Sequence, residues 1–141
     1  MPPVRPDLLG VRHQKVQRLR RLLSRRSARV SERAFVLEGA KLLQEALSAG
    51  APVESVYVAA GTREPAVDEA FAAGIRVYEL DPATLERVAD TVTPQPVMAV
   101  APWLDVPLDE IRRETFVLVA VDVRDPGNAG TLLRTAEAAG A

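Results

Sequence analysis

The sequence predicts an α/β fold, a small α/β sandwich followed by the opening strand and helix of a second domain. Three observations carry this. Short apolar strands alternate with helical periodicities from Ala34 to Ala101. Gly50 and Gly74 stand just past two of the helices, where a left-handed stop is expected. A continuous apolar run, "TFVLVAVDV" (Thr115–Val123), then leads through a Pro/Gly turn into one more helix.

Residues 1–10, with three prolines, read as a flexible N-terminus. The segment 11–33 is helical by pattern. Val16, Leu19, Leu22 and Leu23 fall on one stripe at spacings of three, four and seven. At about 100° per residue, Arg18, Arg21, Arg25 and Arg29 gather opposite, with Lys15 at their edge. One side packs and the other faces outward.

A strand at Ala34–Leu37 follows, then a helix over Gly39–Ala49 with its stripe on Leu42, Leu43, Ala46 and Leu47, then a strand at Val53–Val58. The unit repeats as a helix over Pro65–Ala73 and a strand at Ile75–Leu80. A helix over residues 82–92 starts with Pro82 in its first turn. A strand entered through prolines, 94–102, completes a βαβ-type sandwich over residues 11–101. Residues 102–114, with Pro102, Pro107, the single Trp and a charge cluster, read as a linker. Residues 115–141 begin the second domain. Thr115–Val123 is apolar without alternation, as in a strand buried on both faces.

Composition narrows the chemistry. The absence of cysteine excludes disulfides, thiolate metal sites and a Cys nucleophile. One histidine, His13, argues against a His metal cluster or a Ser-His-Asp triad; no metal is expected. No apolar run approaches a membrane span and the N-terminus lacks a secretion-signal core, so a cytoplasmic protein with no membrane partner is expected. The net charge of −1 hides an asymmetry: residues 1–31 carry +8 and residues 32–141 carry −9. No acid lies between Leu8 and Ser31. A helix face that is merely solvated mixes both signs. This one points to a polyanionic partner, with Arg12, Lys15, Arg18, Arg21, Arg25 and Arg29 as phosphate contacts.

In "DVRDPGNAGTLLRTAEAAG" the helix is expected from Asn128 to Ala139, with Asn128 as its cap. Gly127 and Gly130 do not make G-x-G-x-x-G, and no Gly-Lys-Ser/Thr follows, so a dinucleotide or P-loop site is disfavoured. The full order is more specific. Asp125, Pro126, Asn128, Gly130, Arg134, Thr135 and Ala136 stand as D-P-x-N-x-G-x-x-x-R-T-A, which resembles the first signature motif of the SpoU/TrmH family. These are S-adenosylmethionine-dependent RNA 2′-O-ribose methyltransferases of the knotted SPOUT class. "FVLEGAKLLQEAL" and "TVTPQPVMAV" resemble stretches of the substrate-binding domain that precedes the knot. The resemblance runs from about Val11 to the last residue.

The resemblance implies an RNA-binding α/β domain at 11–101 and, at 115–141, the start of a trefoil-knot, Rossmann-like methyltransferase domain. It implies rRNA or tRNA as partner, S-adenosylmethionine as cofactor and a homodimer for the full-length family. It carries catalysis to Arg134 and shaping of the site to Asn128. The family's second and third motifs lie C-terminal to the first, so about another hundred residues are expected beyond Ala141. The 141-residue chain is therefore expected to be a truncated form, to bind RNA, and to be inactive without the cofactor knot.

Two readings stand beside this one. Arg134 could be a surface arginine paired with Glu137, with Glu38 or with another acid from elsewhere, with Asn128 a simple cap. The chain could be a stand-alone, non-catalytic RNA-binding module, whose RNA affinity would survive deletion after Pro102. Glu38 and Gly39 fit the family pattern either as a turn and helix start or as an RNA contact.

Overall fold

The computed structural model describes residues 7–89 and 93–141. Part of the expected flexible N-terminus (1–6) and the end of the expected helix over 82–92 (90–92) lie outside the described residues. The chain divides into two compact units, one ending at Leu104 and the other spanning Asp105–Ala141.

The first unit is a five-stranded sheet with helices on both faces. Its strands are β1 (Asp7–Leu9), β2 (Ala34–Glu38), β3 (Ser55–Ala59), β4 (Arg76–Leu80) and β5 (Val97–Pro102), in the spatial order β1-β4-β3-β5-β2. Its helices are α1 (Gln14–Ser24), α2 (Arg26–Glu32), α3 (Ala40–Ser48), α4 (Pro65–Ala72) and α5 (Pro82–Val88). Strand alternation sorts two cores. Tyr57, Tyr78, Leu80, Met98 and Val100 meet Val16, Leu19 and Leu22 of α1 and Leu85 and Val88 of α5. Val56, Val58, Val77, Val97 and Ala99 meet Leu43 of α3 and Ala66 and Ala70 of α4. The stripe read from the sequence is the buried one: Val16, Leu19 and Leu22 are fully inaccessible.

Three expectations change here. Residues 7–9, expected to be flexible, pair in parallel with β4, Asp7 opposite Tyr78 and Leu9 opposite Leu80. Burial of Leu9 in the α1 core offsets the cost of ordering them.

The βαβ rhythm implies parallel neighbours, and β3 and β4 are parallel. But β5 inserts antiparallel between β3 and β2. In this position its alternate residues fill both cores, Met98 and Val100 on the α1 face and Val97 and Ala99 on the α3 face.

The helix expected through 11–33 breaks at Arg25, whose backbone is extended (φ −124°, ψ 114°). Arg29 on α2 then reaches back: its Nη1 donates to the carbonyls of Leu22 and Leu23 at 2.7 and 3.0 Å. These are terminal α1 carbonyls with no partner inside the helix.

The second unit holds a 3-10 turn at Glu110–Arg113 and α6 (Pro126–Ala139). The strand expected at Thr115–Val123 is absent among the described residues. Phe116, Val117, Leu118, Val119, Val121 and Val123 are exposed instead. An apolar sequence becomes a strand only when a neighbour takes its N–H and C=O groups, and the second unit holds no strand to do so among its described residues.

Candidate nucleic-acid interface

The basic segment is built on α1 and α2, and its cations fall into two groups. Arg18 is tied down: Nε donates to Glu32 Oε2 at 2.6 Å and Nη1 to Glu54 Oε2 at 2.8 Å. The Glu54 bond is the chief reason its pKa is raised above the ordinary arginine value; partial burial acts against it. Arg21 stands 3.7 Å from Glu32 Oε1, a loose and exposed pair. Arg29 caps α1 through Leu22 and Leu23. Lys15 lies over the Tyr78 ring, 5.2 Å from its centroid, a cation–π distance.

The second group is open. Among the described residues, no side-chain hydrogen bond or ion pair holds Arg12, Arg20, Arg25 or Arg26, and all four are exposed. Arg20 and Arg26 lie outside the sequence expectation, which ranked cations by their place on one continuous wheel. The break at Arg25 resets that wheel. The acid-free stretch from Leu8 to Ser31 was the signal that included them.

His13 caps α1, its Nδ1 accepting from Lys15 N at 3.2 Å. At the other end of α2, Arg33 sits in the left-handed region (φ 48°) with its guanidinium 5.0 Å from the Trp103 ring centroid. Trp103 N donates to Arg33 O at 2.8 Å, which joins the exit of β5 to the entry of β2. Gly39 opens α3 at φ +102°, a conformation that L side chains rarely adopt, and its N–H donates to Val97 O at 2.8 Å. This geometry accounts for Gly39 as a turn and helix start. The Glu38 side chain beside it is exposed.

In the second unit the conserved-looking order around the α6 start resolves differently from expectation. Asp125, not Asn128, is the cap: its Oδ1 accepts from Asn128 N at 2.7 Å. Pro126 takes the first helical position, where its missing N–H costs nothing, and this moves the helix start two residues earlier. Asn128 thus lies inside the first turn with an exposed side chain.

Arg134 folds back along the helix. Its Nη2 lies 3.4 Å from Thr131 Oγ1, a long hydrogen bond, and Thr131 Oγ1 itself donates to Gly127 O at 3.0 Å. A Cβ at Gly130 would stand 3.1 Å from Arg134 Nη1. Glu137 does not pair with Arg134 within the second unit. Asn128, Gly130, Thr131 and Arg134 therefore share the opening turns of one helix and leave a guanidinium with no carboxylate on it.

Among the described residues no helix is long and apolar enough to cross a membrane, and no His/Cys/Asp/Glu group could hold a metal.

Comparison with known proteins places this geometry. Residues 13–99 match the family described as the MRM3-like substrate binding domain. The 23S rRNA (guanosine(2553)-2′-O)-methyltransferase RlmP of Bacillus subtilis is 35% identical over 131 residues, covering 93% of this chain and 50% of the relative. A crystal structure of an RNA 2′-O ribose methyltransferase superposes with a TM-score of 0.66 at 34% identity, covering 95% of this chain and 53% of that one. The S-adenosylmethionine-bound rRNA methyltransferase of Sinorhizobium meliloti gives 0.63 at 27% identity, with coverages of 95% and 52%. The chain thus spans about half the length of these relatives.

Proposed function

We propose, from the premise that this chain belongs to the SpoU/TrmH family of RNA methyltransferases and carries its MRM3-like substrate binding domain, that it recognises rRNA or tRNA for 2′-O-ribose methylation. Residues 11–101 hold the RNA through backbone phosphates, and α6 contributes catalytic groups. Two observations carry the reading: the acid-free cationic stretch from Leu8 to Ser31, and an Arg134 in the family motif that no carboxylate holds among the described residues.

Methyl transfer to a ribose needs the 2′-hydroxyl oriented and its proton drawn away as it attacks. Arginine is a poor base, because its pKa lies above about 12. A planar guanidinium suits a different role: two N–H groups on the phosphate next to the target ribose and a third donating to the 2′-oxygen, which stabilises it as its proton passes to solvent. Gly130 supports this role, since the absence of a side chain leaves room for the guanidinium over the helix. Asn128, six residues earlier in the first turn of the same helix, offers an amide at the helix start.

The residues of 105–141 do not by themselves fit S-adenosylmethionine. None of them is buried, so they wall off no pocket for an adenosine. The one capped amide at the α6 start is already taken by Asp125. We therefore propose that polypeptide 1–141 binds RNA without holding the cofactor and without turnover. In full-length relatives the cofactor and dimer are the expectation for the whole enzyme.

Two measurements test this. In a full-length methyltransferase carrying this segment, Arg134→Ala should remove one ribose 2′-O-methyl from its rRNA or tRNA target by mass spectrometry. An unchanged methylation profile would overturn the reading. Calorimetric titration of residues 1–141 with S-adenosylmethionine should give no heat of binding, and micromolar affinity would contradict it.

A further inference from the structure

We infer that the phosphate grip is the corner between α1 and α2, made by Arg20, Arg25 and Arg26, and that Arg29 is its positioning residue. The inference rests on the RNA reading above and sharpens it from a face to a corner.

The first reason is availability. A cation already spent on carboxylates gains little from a phosphate, because the new contact must displace an existing one. Arg18 is spent on Glu32 and Glu54, and Arg21 loosely on Glu32. Arg20, Arg25 and Arg26 are exposed and unpaired among the described residues. They fall within one short stretch, and between Leu8 and Ser31 there is no acid to oppose them.

The second reason is the local field. The C-terminal end of a helix carries partial negative charge on its last carbonyls and repels anions. A corner at the end of α1 is therefore an unfavourable place for phosphate unless that charge is answered. Arg29 answers it: its Nη1 donates to both Leu22 O and Leu23 O. The same two bonds hold α2 against the end of α1, which fixes where Arg25 and Arg26 project. Glu32, the nearest acid on α2, is neutralised by Arg18 at 2.6 Å. The extended backbone at Arg25 turns its side chain out of the helical register. Three cations so placed contact backbone phosphates without reading bases, a mode that sets register and not sequence.

The test is fluorescence anisotropy of residues 1–141 with a labelled rRNA hairpin over a salt series. Each lost phosphate contact lowers the slope of log affinity against log salt by about 0.7–0.9. The variant R20Q/R25Q/R26Q should lose about two units of slope and bind at least about tenfold more weakly at moderate salt. Because none of these side chains has a partner among the described residues, its circular dichroism should match wild type. R20K/R25K/R26K should keep the slope. R63Q/R76Q/R87Q, with the same charge change on exposed arginines elsewhere, should also keep it. Arg29→Lys should weaken binding while leaving the slope nearly intact, as expected of a group that positions others.

Equal losses in R20Q/R25Q/R26Q and R63Q/R76Q/R87Q would overturn the corner and leave RNA binding standing as a net-charge effect. A full slope in R20Q/R25Q/R26Q would overturn it too. Failure of the wild-type chain to bind RNA at low salt would instead bring down the RNA reading, and the corner with it.

Discussion

Arg18 and Glu54 are 36 residues apart in sequence, yet Arg18 Nη1 donates to Glu54 Oε2 at 2.8 Å while Nε of the same guanidinium holds Glu32 at 2.6 Å. One side chain of α1 thereby fastens α2 and the segment leading into β3. An arginine on the outward face of a basic helix is here a structural clamp.

Arg18→Gln should lower unfolding free energy by about 1 kcal/mol in urea at low salt, since the three charges form a partly exposed network. The difference should shrink at about 1 M salt, where the screening length falls to about 3 Å. The RNA salt slope should be unchanged. A loss of slope with stability intact would reassign Arg18 to the phosphate contacts.

Gly130→Ala separates stability from chemistry. Alanine favours a helix interior over glycine by about 0.5–1 kcal/mol, and the new Cβ meets only the mobile end of Arg134, at 3.1 Å. Helix content and melting temperature should hold or rise slightly. In the full-length enzyme kcat should fall, because the guanidinium is pushed off its resting position. Unchanged kcat would show that this position does not matter.

Gly39→Ala should act in the opposite sense. At φ +102° any side chain is strained, and a Cβ would also meet Gln95 Oε1 at 3.5 Å. A cost of about 1–3 kcal/mol is expected from the backbone, read as an earlier urea midpoint. If stability is unaffected and only RNA binding drops, Gly39 belongs to the interface and not to the turn.

Acid should weaken the start of α5. The Asp81 carboxylate accepts from Thr84 N and Thr84 Oγ1, both at 2.8 Å. These bonds, the backbone one first, hold its pKa below the usual carboxylate value. A lowered folded-state pKa contributes stability above the unfolded value, near about 4, and loses it as pH falls through the folded value. Thermal melts of wild type and Asp81→Asn should therefore differ most near neutrality and converge in acid below about pH 4. A gap that persists there would mean the cap does not depend on charge.

Much of the fold was legible because it is local. The stripe Val16, Leu19, Leu22 and the left-handed stops at Gly50 and Gly74 follow from chain geometry alone, and they fall where periodicity puts them. The D-P-x-N-x-G-x-x-x-R order was legible too, since a motif is a property of neighbours in sequence. The site was less legible. Which arginines are spent depends on Glu32 and Glu54, and Glu54 lies in a different element from α1. The α6 cap moved to Asp125 because a proline could take the first helical position.

By itself, then, the sequence determined the α/β class, the two-sided first domain, the cationic character of its N-terminal helices and the family motif, all of which rest on residues within a few positions of one another. Tertiary structure alone decided the rest. It set β5 antiparallel between β3 and β2, where its alternate residues fill both cores. It left Thr115–Val123 unpaired because a strand exists only through its neighbours. And it divided the arginines into clamps and open charges, because a salt bridge is made by distance in space and not by spacing along the chain.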